Sequence, residues 1–364
     1  MEVKKLFLSL VIIIGVTLLA IGLFFGNVEF TSAEEEDGCT GIGGTITIDG
    51  NYCVHTFTSS GYFNLTSGPI SNVTVLVIAG GGAGNIRYNW EAGGGAGGYL
   101  YETEKTISSN ISVVVGAGGI SGADVKRSGS NSSFDDMISV GGGWGGFYNA
   151  NDLPSHVGGI GGSGGGGYAI NGVGGAGTIG QGYAGGHGSS GSASGGGGGA
   201  GGVGGNSTAG SLGGTGGIGL SNSINGTSIC YAGGGGGGAQ SGTQGTATCG
   251  GSDAGGGNAT ANTGGGGGRG GSGGSGIVIV RYLLAPTLKC TFSGYALDEN
   301  DVGLVGANVT VWNQFNVSEY YQNTTIADGK WSVQVPNSTN TYMAGAYYNN
   351  TLIGQLKQGI SGTC

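Results

Sequence analysis

Glycine sets the terms on which this chain can fold. Of 364 residues 94 are glycine, and 62 of those fall between residues 141 and 276. Ordinary helices and strands are disfavoured there, because each ordered glycine costs roughly 0.5–1 kcal/mol more than alanine. Collagen is excluded as well. It needs glycine at every third position and abundant proline, whereas this chain has four prolines and none between His156 and Arg269. Two forms remain for the tract: a flexible Gly/Ser linker, or an ordered bundle of polyglycine helices. A helix of that type has three residues per turn and no internal hydrogen bonds. Its amides and carbonyls therefore point sideways, towards neighbouring helices, with Cα–H···O contacts assisting. Two features favour the bundle. Short bursts keep a three-residue beat, as in Val157-Gly158-Gly159-Ile160-Gly161-Gly162. The tract also carries Ile160, Tyr168, Ile170, Val173, Ile179, Tyr183, Val203, Leu212, Ile218 and Leu220, for which a solvated linker has no use.

On both sides of the tract the pattern is that of strands. Residues 45–48, 53–57, 73–78, 99–107 and 111–115 are short runs rich in β-branched or aromatic residues, separated by turn residues. In Val73-Thr74-Val75-Leu76-Val77 the odd positions are apolar, as in a strand with one face in a core. Directly after the tract comes Ile277-Val278-Ile279-Val280-Arg281-Tyr282, with no local partner. This strand is expected to close a sheet begun before the tract, making the tract an insertion within one domain. Beyond Pro286 the composition changes to Asn, Thr, Tyr and Val, and candidate strands cover 288–295, 308–312, 320–326, 331–335 and 342–348. The expected fold is all-β. A jelly-roll-like sandwich with an inserted polyglycine II bundle spans 39–284 (tract 141–276), and a small immunoglobulin-like sandwich spans 286–364.

Residues 6–25 are free of charge, follow Lys4 and Lys5, and precede the acidic stretch 34–37. Twenty residues at about 1.5 Å each match the thickness of a bilayer core. Residues 1–33 thus read either as a cleaved signal, with 31–33 as the cleavage site, or as a retained membrane-anchoring helix. Either reading exports the rest. Six cysteines agree, and the simplest pairing is Cys39 with Cys53, Cys230 with Cys249, and Cys290 with Cys364. Acceptor triplets for N-glycosylation occur at Asn64, Asn72, Asn110, Asn131, Asn206, Asn225, Asn258, Asn308, Asn316, Asn323, Asn337 and Asn349, suiting a heavily glycosylated surface protein.

The net charge of −9 argues against nucleic acid as a partner. No metal or cofactor is expected: no CxxC occurs, and His55, His156 and His187 lie far apart. Gly175 to Gly180 spells GxGxxG, and Gly161 to Gly165 spells a nucleophile elbow. Neither has the strand–turn–helix context its chemistry requires, and no catalytic residues are assigned. The better lead is aromatic. Tyr88, Trp90, Trp144, Phe147, Tyr148, Tyr183 and His187 sit in glycine-rich or turn-like segments. Rings offer contact area at little entropic cost, which makes these seven the candidate partner-binding residues; wedging between glycine helices is the alternative role.

The blocks VTVLVIAGGGAG, GGGAGGYL, ISVVVGAGG and GGSGIVIVRY, in that order, resemble the glycine-rich domain of phage tail adhesins and many surface proteins. The resemblance covers about residues 44–283 and implies a rigid scaffold whose loop tips bind partners. The stretch SGYALDENDVGLVGANVTVWN, followed by TTIADGKWSVQVP, resembles the carboxypeptidase regulatory-like module over about 288–348. It implies a non-catalytic sandwich; Asp298, Glu299 and Asp301 read as an acidic hairpin turn, with a calcium site as the alternative. The expected function is that of an exported cell-surface structural or adhesion glycoprotein. Expected partners are the membrane through residues 6–25 if they are retained, a surface glycan or protein, and a second copy of the chain. Ice binding and a passive envelope spacer are the alternatives.

Overall fold

The computed structural model describes residues 29–86, 89–122, 127–148, 156–208, 212–255, 257–296, 302–313, 320–336, 342–348 and 351–355. The expected helix over 6–25 and the calcium alternative at 298–301 lie outside these residues. Among the described residues, no helix is long and apolar enough to cross a membrane. The chain divides into two compact units: Met1–Gly38 with Ala285–Cys364, and Cys39–Leu284.

In chain order, β1 (Glu29–Gly38) belongs to the unit formed by the chain ends, and the Cys39–Leu284 unit begins with β2 (Gly41–Ile42). There follow β3 (Thr45–Asp49), β4 (Tyr52–Phe57), β5 (Gly61–Leu65), β6 (Ile70–Ile78), β7 (Tyr99–Ile107), β8 (Ile111–Val114), β9 (Ser132–Phe134) and β10 (Met137–Ser139). A short hairpin, β11 (Leu220–Asn222) and β12 (Ile229–Tyr231), lies within the tract, and β13 (Ile277–Leu283) follows it. One antiparallel sheet runs β3-β4-β13-β6-β7 and a second runs β10-β9-β8-β5-β2. Their shared core includes Phe57, Phe63, Val73, Val75, Val77, Phe134, Val278, Val280 and Tyr282.

The central position of β13 makes the tract an insertion. Val278 lies opposite Phe57 of β4 on one side and Val77 of β6 on the other, so the sheet cannot close until the chain has passed through the tract. The one-face expectation for β6 needs correction, because Leu76 and Ile78 are fully buried too. They pack with Ile277, Ile279, Ala96, Ala200 and Tyr231 on the opposite face of the sheet. Residues of the tract cover that face, which is why β13 is apolar on both sides.

Within the sandwich His55 is fully buried. Its Nδ1–H donates to the Gly43 carbonyl at 2.8 Å, leaving Nε2 to accept from the Tyr282 hydroxyl at 2.9 Å. That hydroxyl in turn accepts the Gly41 N–H. Burial pushes the imidazole pKa below its ordinary value, a shift the bond to Gly43 only partly offsets.

The glycine segments are extended and hydrogen-bond laterally with a period of three. The amides of Ala79 and Gly82 donate to Gly98 and Gly95, those of Gly80 and Ala83 to Ser130 and Arg127, and those of Gly81 and Gly84 to Gly274 and Gly271. Segment 194–199 repeats the scheme. Ser194 and Gly197 reach Gly238 and Gly235, Gly195 and Gly198 reach Gly167 and Gly164, and Gly196 and Gly199 reach Gly205 and Gly202. Three neighbours per segment, each addressed by every third amide, place bare backbone against bare backbone. A Cβ on Gly197 would lie 1.9 Å from the Gly94 carbonyl oxygen, and one on Gly81 2.0 Å from that of Gly265.

Order in the tract does not come from burial of its large residues. Of the ten apolar residues cited for the bundle, only Tyr168 is buried; the other nine are exposed, up to 99% for Ile179. The backbone bonds supply the order and leave those side chains outside.

In the other unit β1 pairs with β14 (Ala285–Tyr295), itself paired with β17 (Lys330–Pro336). A four-stranded sheet runs β16-β15-β18-β19, comprising β15 (Asn308–Asn313), β16 (Tyr320–Thr324), β18 (Tyr342–Tyr348) and β19 (Thr351–Gln355). Val309, Val311, Trp331 and Val333 are buried while Asn308 is exposed. Strand β1 was not expected, since the acidic stretch reads as the flank of the apolar run. Charged residues are nonetheless common on an edge strand, where they discourage further pairing.

Candidate functional site

The outward residues of the tract recur every third position, because the other two amides of each turn are committed to neighbouring segments. Exposed positions are Val157 and Ile160; Val173, Ala176 and Ile179; Val203 and Asn206; Leu212, Thr215 and Ile218; and Thr243 and Thr246. Adjacent ladders are held side by side: Gly213 and Gly216 donate to Thr243 and Thr246, Gly205 to Thr215, and Gly204 to Ala184.

Between these ladders lies an apolar hollow of about 650 Å³, lined by Tyr99, Ile179, Gln181, Tyr183, Val203 and Leu220 among others. Gln181 fixes one wall, its Oε1 accepting from the Val140 N–H and its Nε2 donating to the Ile138 carbonyl. Tyr99 receives a hydrogen bond from Asn222 Nδ2 at 2.8 Å, and burial raises its phenol pKa.

The seven aromatic candidates divide by place. Tyr183 is half exposed at the hollow. His187 is exposed nearby, with Nδ1 accepting from the Gly174 N–H and its own amide donating to Asn206 Oδ1. Trp90 and Tyr148 are drawn to Tyr168 and His156 instead. The Trp90 indole donates to the Tyr168 hydroxyl, Tyr148 stacks on His156 with centroids 5.7 Å apart, and Phe147 is buried. Trp144 is half-buried with its ring over Gly159, where a Cβ would come within 2.5 Å. Tyr88 lies outside the described residues. The sequence reading missed Tyr168 and His156 as partners in this cluster, and the exposed apolar ladders as a surface. The three-residue beat was the available signal for the ladders.

Two disulfides are formed, Cys39–Cys53 and Cys230–Cys249, and they fit an oxidising compartment. The pairing of Cys290 with Cys364 lies outside the described residues, as do the acceptor triplets at Asn316, Asn337 and Asn349. Asn110, Asn131, Asn206, Asn225 and Asn258 each accept a backbone N–H through Oδ1, from Leu65, Gly141, His187, Thr227 and Ser272. A glycan is carried on the amide nitrogen, so these bonds survive glycosylation. Asn72 and Asn308 are exposed, Asn64 is half-buried, and the exposed Asn323 donates to the Ser332 carbonyl.

A two-sheet sandwich closed across a glycine insertion defines a glycine-rich β protein. The chain belongs to the glycine-rich domain family, whose model matches residues 58–283. No curated protein matches the chain.

Proposed function

We propose that this chain is an exported, non-catalytic surface protein, structural or adhesive, whose glycine tract is a polyglycine II bundle that displays side chains rigidly. One observation carries the reading: amides commit with a period of three while every third side chain stays outside. Exposed apolar residues in such number would endanger a flexible linker, whereas exposed apolar patches on a fixed scaffold mark contact surfaces. Resemblance to surface adhesins and to the carboxypeptidase regulatory-like module points the same way, as do the disulfides and the acceptor triplets. Residues 6–25 would either anchor the chain or direct its export.

The test is attachment by cells or beads displaying the chain. Adhesion through the hollow predicts that Ile179→Ser with Tyr183→Ala reduces attachment several-fold while the melting temperature holds. Unchanged attachment leaves a passive spacer. A second reading, ice binding, is favoured by the neighbouring ladders Leu212, Thr215, Ile218 and Thr243, Thr246, which set hydroxyl and apolar groups at a regular repeat. Thermal hysteresis of the purified ectodomain separates the two, and its absence at high concentration excludes ice.

A further inference from the structure

A second concavity lies on the tract-facing side of the β3-β4-β13-β6-β7 sheet, separated from the apolar hollow by the Tyr99–Asn222 hydrogen bond. Three strands change character there together. Along β13 the face-sharing residues run Ile277, Ile279, Arg281; along β6 Ile78, Leu76, Thr74, Asn72; along β4 Val54, Tyr52. The buried apolar rows thus end in polar groups that line a groove of about 500 Å³, with Tyr101 and Asn222 among its walls.

The groove is built and held in place before any ligand arrives. Arg281 lies over the Tyr52 ring, 4.0 Å from its centroid. One guanidinium nitrogen donates to Asp49 Oδ2 at 2.6 Å and to the Ile224 carbonyl at 3.0 Å. A guanidinium has five N–H donors, so others are left for a ligand, on a group that cannot swing. Asn222 is likewise fixed, Nδ2 donating to Tyr99 and Oδ1 accepting from Ile224. Asn72 stands at φ +55° within the first of two register shifts of the β6–β7 pairing. Bulges of this kind re-aim a side chain and gather near functional sites. The ion pair with Asp49 leaves the Arg281 corner close to neutral. Planar hydrogen-bonding groups, hydroxyls and the half-exposed Tyr101 ring suit a ligand with many hydroxyls and an apolar face.

We propose that this groove binds a neutral saccharide, with a C–H face of the sugar on Tyr101 and hydroxyls on Arg281, Asn222 and Thr74. Two sources fit that chemistry. Asn72-Val73-Thr74 is itself an acceptor triplet with both ends in the groove, so the sugar is either the chain's own Asn72 glycan or a free saccharide. The assignment rests on the exported reading only in requiring saccharides outside the cell, and it does not involve the glycine ladders.

Two preparations of the full chain test it, one from an N-glycosylating host and one unglycosylated. In the first, release of glycans by an amidase is followed at Asn72 and at Asn110. Release at Asn72 about tenfold slower, restored to the Asn110 rate by Tyr101→Ala, assigns the groove to the chain's own glycan. In the second, N,N′-diacetylchitobiose and a mannose oligosaccharide are titrated by calorimetry. Binding that weakens about tenfold in Tyr101→Ala, roughly 1.4 kcal/mol, assigns it to a free saccharide. Tyr101 is half exposed, so the variant should fold, and Arg281→Lys serves as a second probe with the same expected direction. The proposal is overturned if neither sugar binds and Asn72 is bare or released as fast as Asn110. It is also overturned if every effect survives both substitutions. Either result leaves attachment through the apolar hollow unaffected, so failure of the groove is distinguishable from failure of the adhesive reading.

Discussion

At the residue scale the structure rests on the absence of Cβ atoms, and substitutions at single glycines read this out. Gly197→Ala would drive a methyl into the backbone of Gly94 and Gly95, with no side chain to yield. Overpacking of this kind costs about 1–3 kcal/mol and occasionally more, and thermal unfolding should register it as a lowered Tm. Gly61 meets nothing within 4 Å, so Gly61→Ala should lie within about 0.5 kcal/mol of the parent. Equal effects at the two sites would remove the close-packing argument. His55 gives a pH signature. Its folded pKa lies below the unfolded value of about 6.5, so as pH falls through that value the unfolded state takes up a proton that the native state refuses. Stability is then lost with falling pH until the depressed native pKa is reached. Among other groups with a resolved shift, Asp136 has its pKa lowered by Lys105 and titrates only in more acidic solution. Unfolding followed between pH 7 and 5 should show stability declining on acidification, and His55→Gln should flatten that slope.

At the element scale β13 is the closing piece, because β4 and β6 are joined only through it. A chain ending at residue 276 should lose cooperative unfolding, whereas one comprising residues 39–284 should keep it; circular dichroism on heating distinguishes them. Both disulfides close loops in the same unit, with separations of 14 and 19 residues. The chain-entropy model assigns about 3 kcal/mol to each such loop. Cys230→Ser with Cys249→Ser should therefore lower the melting temperature without altering the spectrum. Much at this scale was legible in the sequence. The IVIV run of β13 had no partner nearby and so had to find one far away, and Cys pairing within sequence groups proved correct wherever both cysteines are described. The second buried face of β6 was not legible, since what covers Leu76 and Ile78 comes partly from tract residues more than a hundred positions away. Strand β1 was hidden for a different reason: its acidic residues carry no alternating pattern.

At the scale of the whole molecule, glycine joins two roles that usually fall to different residues. In most domains large apolar side chains fill the interior. Here hydrogen-bonded glycine backbones pack against one another, and Ile179, Val203 and Ile218 stand in solvent. The sequence reading expected order in the tract because a solvated linker has no use for such residues, whereas nine of the ten stand exposed. It likewise gathered the aromatic candidates as one group, whereas stacking partners such as His156 and Tyr168 emerge only once distant segments meet. Amide hydrogen exchange across residues 212–218 tests the central claim most directly. Gly213, Gly214, Gly216 and Gly217 donate to Thr243, Ser194, Thr246 and Gly197, while Thr215 makes no such bond. The account predicts slow exchange at those four glycines and fast exchange at Thr215, a period of three. Uniformly fast exchange throughout the segment would contradict it and reduce the tract to a linker.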